Sequence, residues 1–126
     1  MKAVKDLDYV IYIIIAFLLF SIIQRALPTK GVRQLSTTDL KGELIHKNKQ
    51  FIDVRTPGEF KGNHIKGFKN IPLHQLSQKA DQELSKEKEV IVICQSGMRS
   101  QKASKVLRKI GFTKVTNVKG GMSAWG

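Results

Sequence analysis

The feature that most constrains the fold is a strand–loop–helix unit between residues 89 and 111. Residues 90 to 93 form an unbroken apolar run, "VIVI", typical of a strand that is buried on both faces. After a short loop, four apolar residues recur at helical spacing: Ala103, Val106, Leu107 and Ile110. Gly111 follows them at the position where a glycine commonly ends a helix. A buried strand next to an amphipathic helix predicts a mostly parallel sheet flanked by helices.

The rest of the chain after residue 34 alternates in the same way. Ser36, followed three residues later by Asp39, predicts the start of a first helix whose apolar stripe includes Leu40, Leu44 and Ile45. A proline-constrained stretch around Ile71 is expected to be extended. The remaining predictions are strands at residues 50 to 55 and 114 to 118, a turn at residues 56 to 58, and a helix at residues 75 to 84.

The N-terminus carries a second strong pattern, since residues 9 to 23 contain no charge, no proline and no glycine. Extension to residues 7 to 27 gives a helix long enough for a hydrocarbon core of about 30 Å, and Pro28 would end it. A cleaved signal peptide is the alternative, but no small-residue cleavage site follows the apolar run. We therefore predict a transmembrane helix that anchors the chain through residues 7 to 27.

Basic residues on the two sides of this segment predict its orientation. Lys2 and Lys5 precede the apolar run of residues 9 to 23, whereas four basic residues follow that run closely: Arg25, Lys30, Arg33 and Lys41. The positive-inside rule then places the C-terminal domain in the cytoplasm, in a single-pass membrane protein. The expected organisation is an N-terminal transmembrane anchor at residues 1–27, a linker at 28–34 and an α/β domain at 35–126.

Charge and cysteine content narrow the possible functions. The chain has 22 Lys and Arg against 10 Asp and Glu, and residues 34–126 carry 17 against 8, a formal charge of +9. Such a field concentrates small anions, acidic partners or anionic lipid. The lysines are scattered without a nucleic-acid motif, so no nucleic acid partner is expected. One cysteine excludes an intrachain disulfide, and without a metal-ligand cluster or cofactor loop we expect no metal and no cofactor.

The single cysteine, Cys94, follows the apolar strand at the end where ligand sites form in parallel sheets. Gly97 permits a tight turn in the loop, whose N–H groups can face an anion together with the helix N-terminus. Arg99 adds a full positive charge, and each of these features favours the thiolate form of Cys94. The alternative is a buried structural thiol that only completes the strand, a common place for cysteine.

Three ordered motifs resemble those of the rhodanese-like, or thiosulfate sulfurtransferase-like, family in its single-domain form. "CQSGMRS" at residues 94–100 resembles the active-site loop, "DVRTPGEFKGNHIKGFKNIPL" at 53–73 the first signature, and "NVKGGMSAW" at 117–125 the C-terminal one. Together they cover the chain from about residue 35 to 125. Two small departures, Asn63 and Phe68, lie outside the loop.

The resemblance implies a rhodanese-like α/β fold and a sulfurtransferase. In that family, the residue at the Cys94 position takes sulfur from a small anionic donor such as thiosulfate, forming a persulfide. A thiol or cyanide-type acceptor, a protein thiol included, then removes the sulfur. Arg99 would hold the donor as the second catalytic residue, and the other loop positions would bind substrate: Gln95, Ser96, Gly97, Met98 and Ser100.

Loop length and the first signature refine this expectation. The related cell-cycle phosphatases have C-x5-R, whereas Cys94 and Arg99 form C-x4-R, a tighter ring that suits one sulfur atom and favours sulfur transfer over dephosphorylation. A non-catalytic persulfide carrier or a docking module at the membrane remains the alternative. We expect scaffold roles for Asp53, Arg55, Glu59 and His64, with Arg55 paired to Glu59 and His64 bonded to nearby backbone.

Overall fold

A sheet of five strands, all paired in parallel, organises the part of the chain that follows residue 29. The structure is a computed structural model that describes residues 2–26 and 29–126. The strands are β1 (Val32–Leu35), β2 (Gln50–Asp53), β3 (Lys69–Asn70), β4 (Val90–Ile93) and β5 (Val115–Val118). Their order across the sheet is β1-β5-β4-β2-β3, so β4 is the central strand. The predicted α/β architecture with a parallel sheet flanked by helices is confirmed.

Six helices accompany the sheet in the described ranges. They are α1 (Lys2–Ala26), α2 (Thr37–Glu43), α3 (Pro57–Gly62), α4 (Leu76–Glu83), α5 (Met98–Lys109) and α6 (Gly121–Ala124). A short 3-10 turn at Leu73–Gln75 leads into α4. As predicted, the Ser36 side chain accepts a hydrogen bond from the Asp39 N–H and begins α2. Gly111 follows α5 with φ +108°, a conformation that favours glycine.

The two faces of β4 pack into two separate clusters, which is why its four residues are all apolar. Val90 and Val92 face α4 and α5, where Ala103 and Leu107 of α5 are fully buried. Ile91 and Ile93 face the other layer, which is built from α2, α3 with the segment after it, and α6. The loop that follows β4 therefore starts from the most enclosed strand of the sheet.

Three of the predicted boundaries are wrong, each for a local reason. Residues 32 to 34, expected to be linker, belong to edge strand β1, which pairs with β5 and has two polar residues between two apolar ones. The expected turn at residues 56 to 58 begins α3, because Thr56 and Glu59 form a capping box and Pro57 occupies the first turn. Ile45 lies beyond the end of α2 and is exposed rather than part of its apolar stripe.

Helix α1 has 25 residues, and its segment Lys5–Gln24 is long and apolar enough to cross a membrane by length and composition. Its large apolar side chains between Leu7 and Ile23 are exposed around the whole helix. A helix that is apolar all round needs an apolar environment. The predicted span of residues 7 to 27 overlaps this segment up to Gln24, and Leu27 and Pro28 lie outside the described residues, so the membrane anchor stays a prediction.

Candidate active site

Cys94 begins the loop that joins β4 to α5, at the carboxyl edge of the central strand. The Gly97 N–H donates a hydrogen bond of 2.9 Å to Cys94 Sγ, and the Ser100 hydroxyl lies 3.3 Å from the same sulfur. Gly97 has φ +107°, so the predicted glycine turn is present and turns its N–H toward the sulfur. Cys94 itself is fully buried. The Cys94 sulfur therefore contacts a main-chain N–H donor and a side-chain hydroxyl.

The C-terminal helix α6 fixes the outer side of this loop. The Met122 N–H donates to the Cys94 carbonyl at 2.8 Å, and the Ser123 N–H donates to the Gln95 carbonyl at 2.9 Å. The Ser123 hydroxyl donates to the same Gln95 carbonyl at 2.8 Å. Sequence reasoning missed this support, although the paired glycines at the start of α6 were a usable signal, because a Cβ atom at Gly121 would meet the backbone of Cys94 and Gln95.

Arg99 lies in the first turn of α5 and is held by Glu59 of α3. Their two hydrogen bonds run from Nη1 to Oε1 at 2.6 Å and from Nη2 to Oε2 at 2.9 Å. The Arg99 guanidinium, helped by the N–H and hydroxyl of Thr56, lowers the pKa of Glu59 from 4.5 to about 2. The carboxylate in turn raises the pKa of Arg99. Both side chains remain about one third exposed, so the pair borders solvent.

The predicted pair between Arg55 and Glu59 is wrong, because Arg55 binds Asp53 instead. Arg55 Nε lies 3.0 Å from Asp53 Oδ1 and Nη2 lies 2.8 Å from Oδ2, in a buried bidentate pair. The remaining donors reach the Asn63 carbonyl at 2.6 Å and the Gln95 side chain at 3.3 Å. A two-residue separation at the end of β2 lets Arg55 fold back on Asp53, and Glu59 points across to α5.

His64 takes the structural place expected for it. Its Nδ1–H donates to the Phe60 carbonyl at 2.7 Å, and the two rings are stacked with centroids 3.8 Å apart. The residues expected to bind substrate divide into two groups: Gly97 and Ser100 are buried, whereas Gln95, Ser96 and Met98 are exposed. A cavity of about 460 Å³ adjoins the exposed side of the loop, lined by Ser96, Gly97, Met98, Gln101, Asn117, Lys119, Gly120 and Ile22 of α1.

The arrangement suits chemistry at one sulfur atom that becomes negatively charged. A main-chain N–H already points at Cys94 Sγ, the N-terminus of α5 adds a partial positive charge, and Arg99 adds a full one nearby. The part of the chain described by the structure has no cluster of three or more His, Cys, Asp or Glu side chains that could hold a metal ion. The fold and the loop define a cysteine-centred α/β domain.

The chain belongs to the rhodanese-like domain family, whose model matches residues 36–126. It is 38% identical over 117 residues to "Uncharacterized protein YqhL" of Bacillus subtilis (strain 168), covering 93% of this chain and 90% of that protein. It is 36% identical over 94 residues to "Thiosulfate sulfurtransferase 16, chloroplastic" of Arabidopsis thaliana, covering 66% of this chain and 78% of that protein.

A solved structure shows the same fold. The crystal structure of a rhodanese-like domain protein from Staphylococcus aureus matches with a TM-score of 0.69 and 32% identity, covering 75% of this chain and 92% of that chain. Relatives that are named sulfurtransferases support a sulfur-transfer role for this chain. The similarity to the Bacillus subtilis protein extends over more of the chain than the family model does, and reaches into the N-terminal segment.

Proposed function

We propose that the chain is a membrane-tethered sulfurtransferase that carries sulfane sulfur on Cys94, with thiosulfate as a competent donor. The observation that carries this proposal is the hydrogen bond of 2.9 Å from the Gly97 N–H to Cys94 Sγ. A main-chain donor fixed by a glycine turn stabilises the thiolate, and later the persulfide, because it already points at the sulfur. The C-x4-R spacing of Cys94 and Arg99 suits one sulfur atom better than a tetrahedral phosphate.

In the first step, the Cys94 thiolate attacks the outer sulfur of thiosulfate. A sulfur–sulfur bond forms at Cys94, the bond between the two thiosulfate sulfurs breaks, and sulfite leaves with the electron pair. The Ser100 hydroxyl, which donates to the Gly97 carbonyl at 3.1 Å in the thiol state, can turn and donate to the charged sulfur. Covalent catalysis of this kind divides one transfer into two easier steps.

In the second step, a thiophilic acceptor attacks the terminal sulfur of the persulfide. Cyanide gives thiocyanate and a thiolate gives a new persulfide, and in either case the electron pair of the broken bond returns to Cys94. The helix N-terminus and the Gly97 N–H favour this leaving thiolate, as they favoured the attacking one.

Arg99 is the group that would bind the anionic donor. Its bonds to Glu59 use one hydrogen of each terminal nitrogen, so further guanidinium donors are left for a second anion. Because Cys94 is fully buried, the donor reaches the sulfur only when the groups that cover it move aside. Recruitment at the exposed edge of Arg99 would therefore precede attack.

The test of this proposal combines turnover with mass spectrometry. Wild-type protein with thiosulfate and cyanide should form thiocyanate, and thiosulfate alone should add the mass of one sulfur atom to the peptide that contains Cys94. Cys94→Ser, which keeps a small polar side chain, should lose both, with a thermal melt as the check on folding. Turnover that survives in Cys94→Ser would refute the proposal, and sulfur uptake without turnover would favour the persulfide carrier instead.

The membrane part of the proposal places α1 across a bilayer with the domain on the cytoplasmic side. The exposed apolar surface of the segment Lys5–Gln24 and the basic residues that follow it support this orientation. The protein should stay with membranes during alkaline carbonate washing, and a green fluorescent protein fused at the C-terminus should fluoresce. Activity of an alkaline phosphatase fused at the same end would show the opposite orientation.

A further inference from the structure

The solvent face of α5 carries a row of lysines that the proposed chemistry does not use. Lys102, Lys105 and Lys109 follow at helical spacing of three and four residues, so they lie on one side of the helix, and all three are exposed. We call these three residues the lysine row. Within residues 2–26 and 29–126, none of the three forms a salt bridge or a side-chain hydrogen bond with the protein.

No carboxylate compensates this row from its own helix, because α5 contains neither Asp nor Glu. Helix α4, which packs beside α5, contributes Asp81 and Glu83, but these are bound to Lys86 at 3.1 Å and to Lys69 at 2.9 Å. The lysine row therefore presents positive charge with three free ammonium groups, which favours an anionic surface over a single small ligand.

The row also lies beside the point where the domain joins α1. Thr29 and Lys30 line a groove of about 610 Å³ together with residues of α5: Lys102, Lys105, Val106, Arg108 and Lys109. Arg108 fixes this junction, since its guanidinium donates to the Phe112 and Thr113 carbonyls at 3.4 and 3.0 Å and packs against Gly31. Only two residues separate the end of α1 at Ala26 from Thr29, so the three Cα-to-Cα steps reach roughly 10 Å at most.

We propose that the lysine row, together with Lys30, docks on anionic phospholipid headgroups of the leaflet from which α1 emerges. The inference rests on the proposed anchoring of α1 and goes beyond sulfur transfer. Surface potentials extend only about 8 Å at physiological salt, so a basic face acts on a membrane only when it is held close to it. The short junction at Thr29 and Lys30 supplies this proximity at no further cost in translational freedom.

Docking in this way would also place the Cys94 loop next to the membrane surface. Met98, which is 74% exposed, precedes Lys102 by one helical turn and lies at the loop end of the same face of α5. An apolar side chain at that place can enter the headgroup region while the lysines bind phosphate. The domain would then lie with α5 along the bilayer and the loop of Cys94 close to the membrane surface.

The test compares full-length protein in nanodiscs of dioleoylphosphatidylcholine alone with nanodiscs that also contain dioleoylphosphatidylglycerol. Lysines are acetylated for a short time with an N-hydroxysuccinimide ester, and each site is measured by mass spectrometry. We expect about fivefold slower acetylation of each residue of the lysine row in the anionic discs, the factor that corresponds to about 1 kcal/mol per basic residue at such a surface. High salt should remove the difference.

Three exposed lysines from the opposite layer serve as internal controls. Lys47, Lys61 and Lys66 lie next to or within elements that pack on the other face of the sheet, and their acetylation should be the same in both kinds of disc. As a matched variant, Lys102→Glu/Lys105→Glu/Lys109→Glu should lose the protection of Lys30, whereas Lys47→Glu/Lys61→Glu/Lys66→Glu, with the same change of charge, should keep it.

Each other outcome overturns the inference. Equal acetylation of the lysine row in both discs, in wild-type protein and without need of a variant, would exclude docking on anionic lipid. Protection of all lysines alike would show general adsorption, and protection that persists at high salt would exclude an electrostatic surface. Failure to co-purify with either disc would refute the anchor and the docking together, whereas sulfur uptake on Cys94 would still report the proposed chemistry separately.

Discussion

Arg99 and Glu59, forty residues apart in the chain, are joined by two parallel hydrogen bonds of 2.6 and 2.9 Å at the edge of the Cys94 loop. Glu59 belongs to the capping box that begins α3, and Arg99 to the first turn of α5. The capping box holds the carboxylate in place, and the carboxylate holds the guanidinium. The Arg99 guanidinium, the group proposed to bind the donor, is thus held beside the Glu59 carboxylate, which competes with an anionic donor for the same cation.

This competition predicts opposite effects of two substitutions on thiosulfate binding. Arg99→Ala removes the cation and should raise the KM for thiosulfate about tenfold to a hundredfold, the range for hydrogen bonds to charged groups. Glu59→Gln keeps the shape but removes the competing charge, so KM should fall. Steady-state kinetics at constant ionic strength measures both, and the melting temperature checks the fold. A higher KM in Glu59→Gln would mean that orientation of Arg99 outweighs the charge.

The depressed pKa of Glu59 predicts a pH-dependent contribution to stability. In the folded protein this pKa is about 2, against an ordinary value of 4.5, so the carboxylate binds its proton more readily in the unfolded chain. The stabilisation is therefore complete above pH 4.5 and is lost as the pH falls from there toward about 2. The other acidic groups titrate in both proteins, so the difference in melting temperature between wild type and Glu59→Gln isolates this group.

That difference should be constant near neutral pH and shrink below pH 4.5. A gap between the two proteins that stays the same from about pH 7 to about pH 3 would contradict the assignment, because no proton would then be taken up differently by the two states.

The contact between the Ser100 hydroxyl and Cys94 predicts that removing this hydroxyl slows, but does not abolish, the reaction at Cys94. Ser100→Ala removes a hydrogen-bonding group 3.3 Å from the sulfur and should slow persulfide formation about two- to tenfold. Ser104→Ala is the matched control, since Ser104 is equally buried one turn further along α5 and its hydroxyl donates to the Ser100 carbonyl at 2.7 Å rather than contacting the sulfur. Rapid mixing with thiosulfate, followed by mass spectrometry, gives the rates. Equal slowing in both variants would indicate a packing effect.

The elements that could be predicted from the sequence are those whose signals are local. Four consecutive apolar residues define β4, the apolar spacing defines α5, and the pattern of Ser36 with Asp39 defines the start of α2. Strand β1 was missed because an edge strand of four mixed residues has little pattern of its own and depends on its pairing with β5. Helix α3 was missed because a proline followed by glycine is also typical of a turn.

The sequence predicts which residues of the candidate site are neighbours within the loop, but not which residues of separate elements bind them. Cys94, Gly97 and Arg99 lie in one loop, so their proximity follows from the sequence. The partners of charged side chains do not, because they depend on where separate elements meet in space. Arg55 was expected to bind Glu59, four residues away, but the end of β2 turns it back to Asp53 and leaves Glu59 for Arg99 on another helix.

The buried pair of Asp53 and Arg55 predicts a large loss of stability when one partner is neutralised. Asp53→Asn leaves the Arg55 charge without its carboxylate in a site where Asp53 is fully buried and Arg55 is 3% exposed. The free energy of unfolding should fall by about 3–5 kcal/mol in urea denaturation. Glu83→Gln, which breaks the exposed pair with Lys69, is the control and should cost less than about 1 kcal/mol. Similar losses in the two variants would contradict the importance of burial.

The backbone conformation and close contacts of Gly121 predict that α6 tolerates no side chain where it meets the Cys94 loop. Its φ of +55° is one that L side chains rarely adopt, and a Cβ atom there would overlap the Cys94 carbonyl oxygen and lie 2.9 Å from the carbonyl carbons of Cys94 and Gln95. Gly121→Ala must therefore push α6 away and break the hydrogen bonds from Met122 and Ser123 that hold the loop. We expect sulfur uptake by Cys94 to be lost, with destabilisation of about 2 kcal/mol or more.

Gly42→Ala in α2 is the matched control, because its Cβ meets nothing within 4 Å, and it should keep full activity and gain up to about 1 kcal/mol of stability. Sulfur uptake at the wild-type rate in Gly121→Ala would show that α6 does not hold the loop in its reactive form.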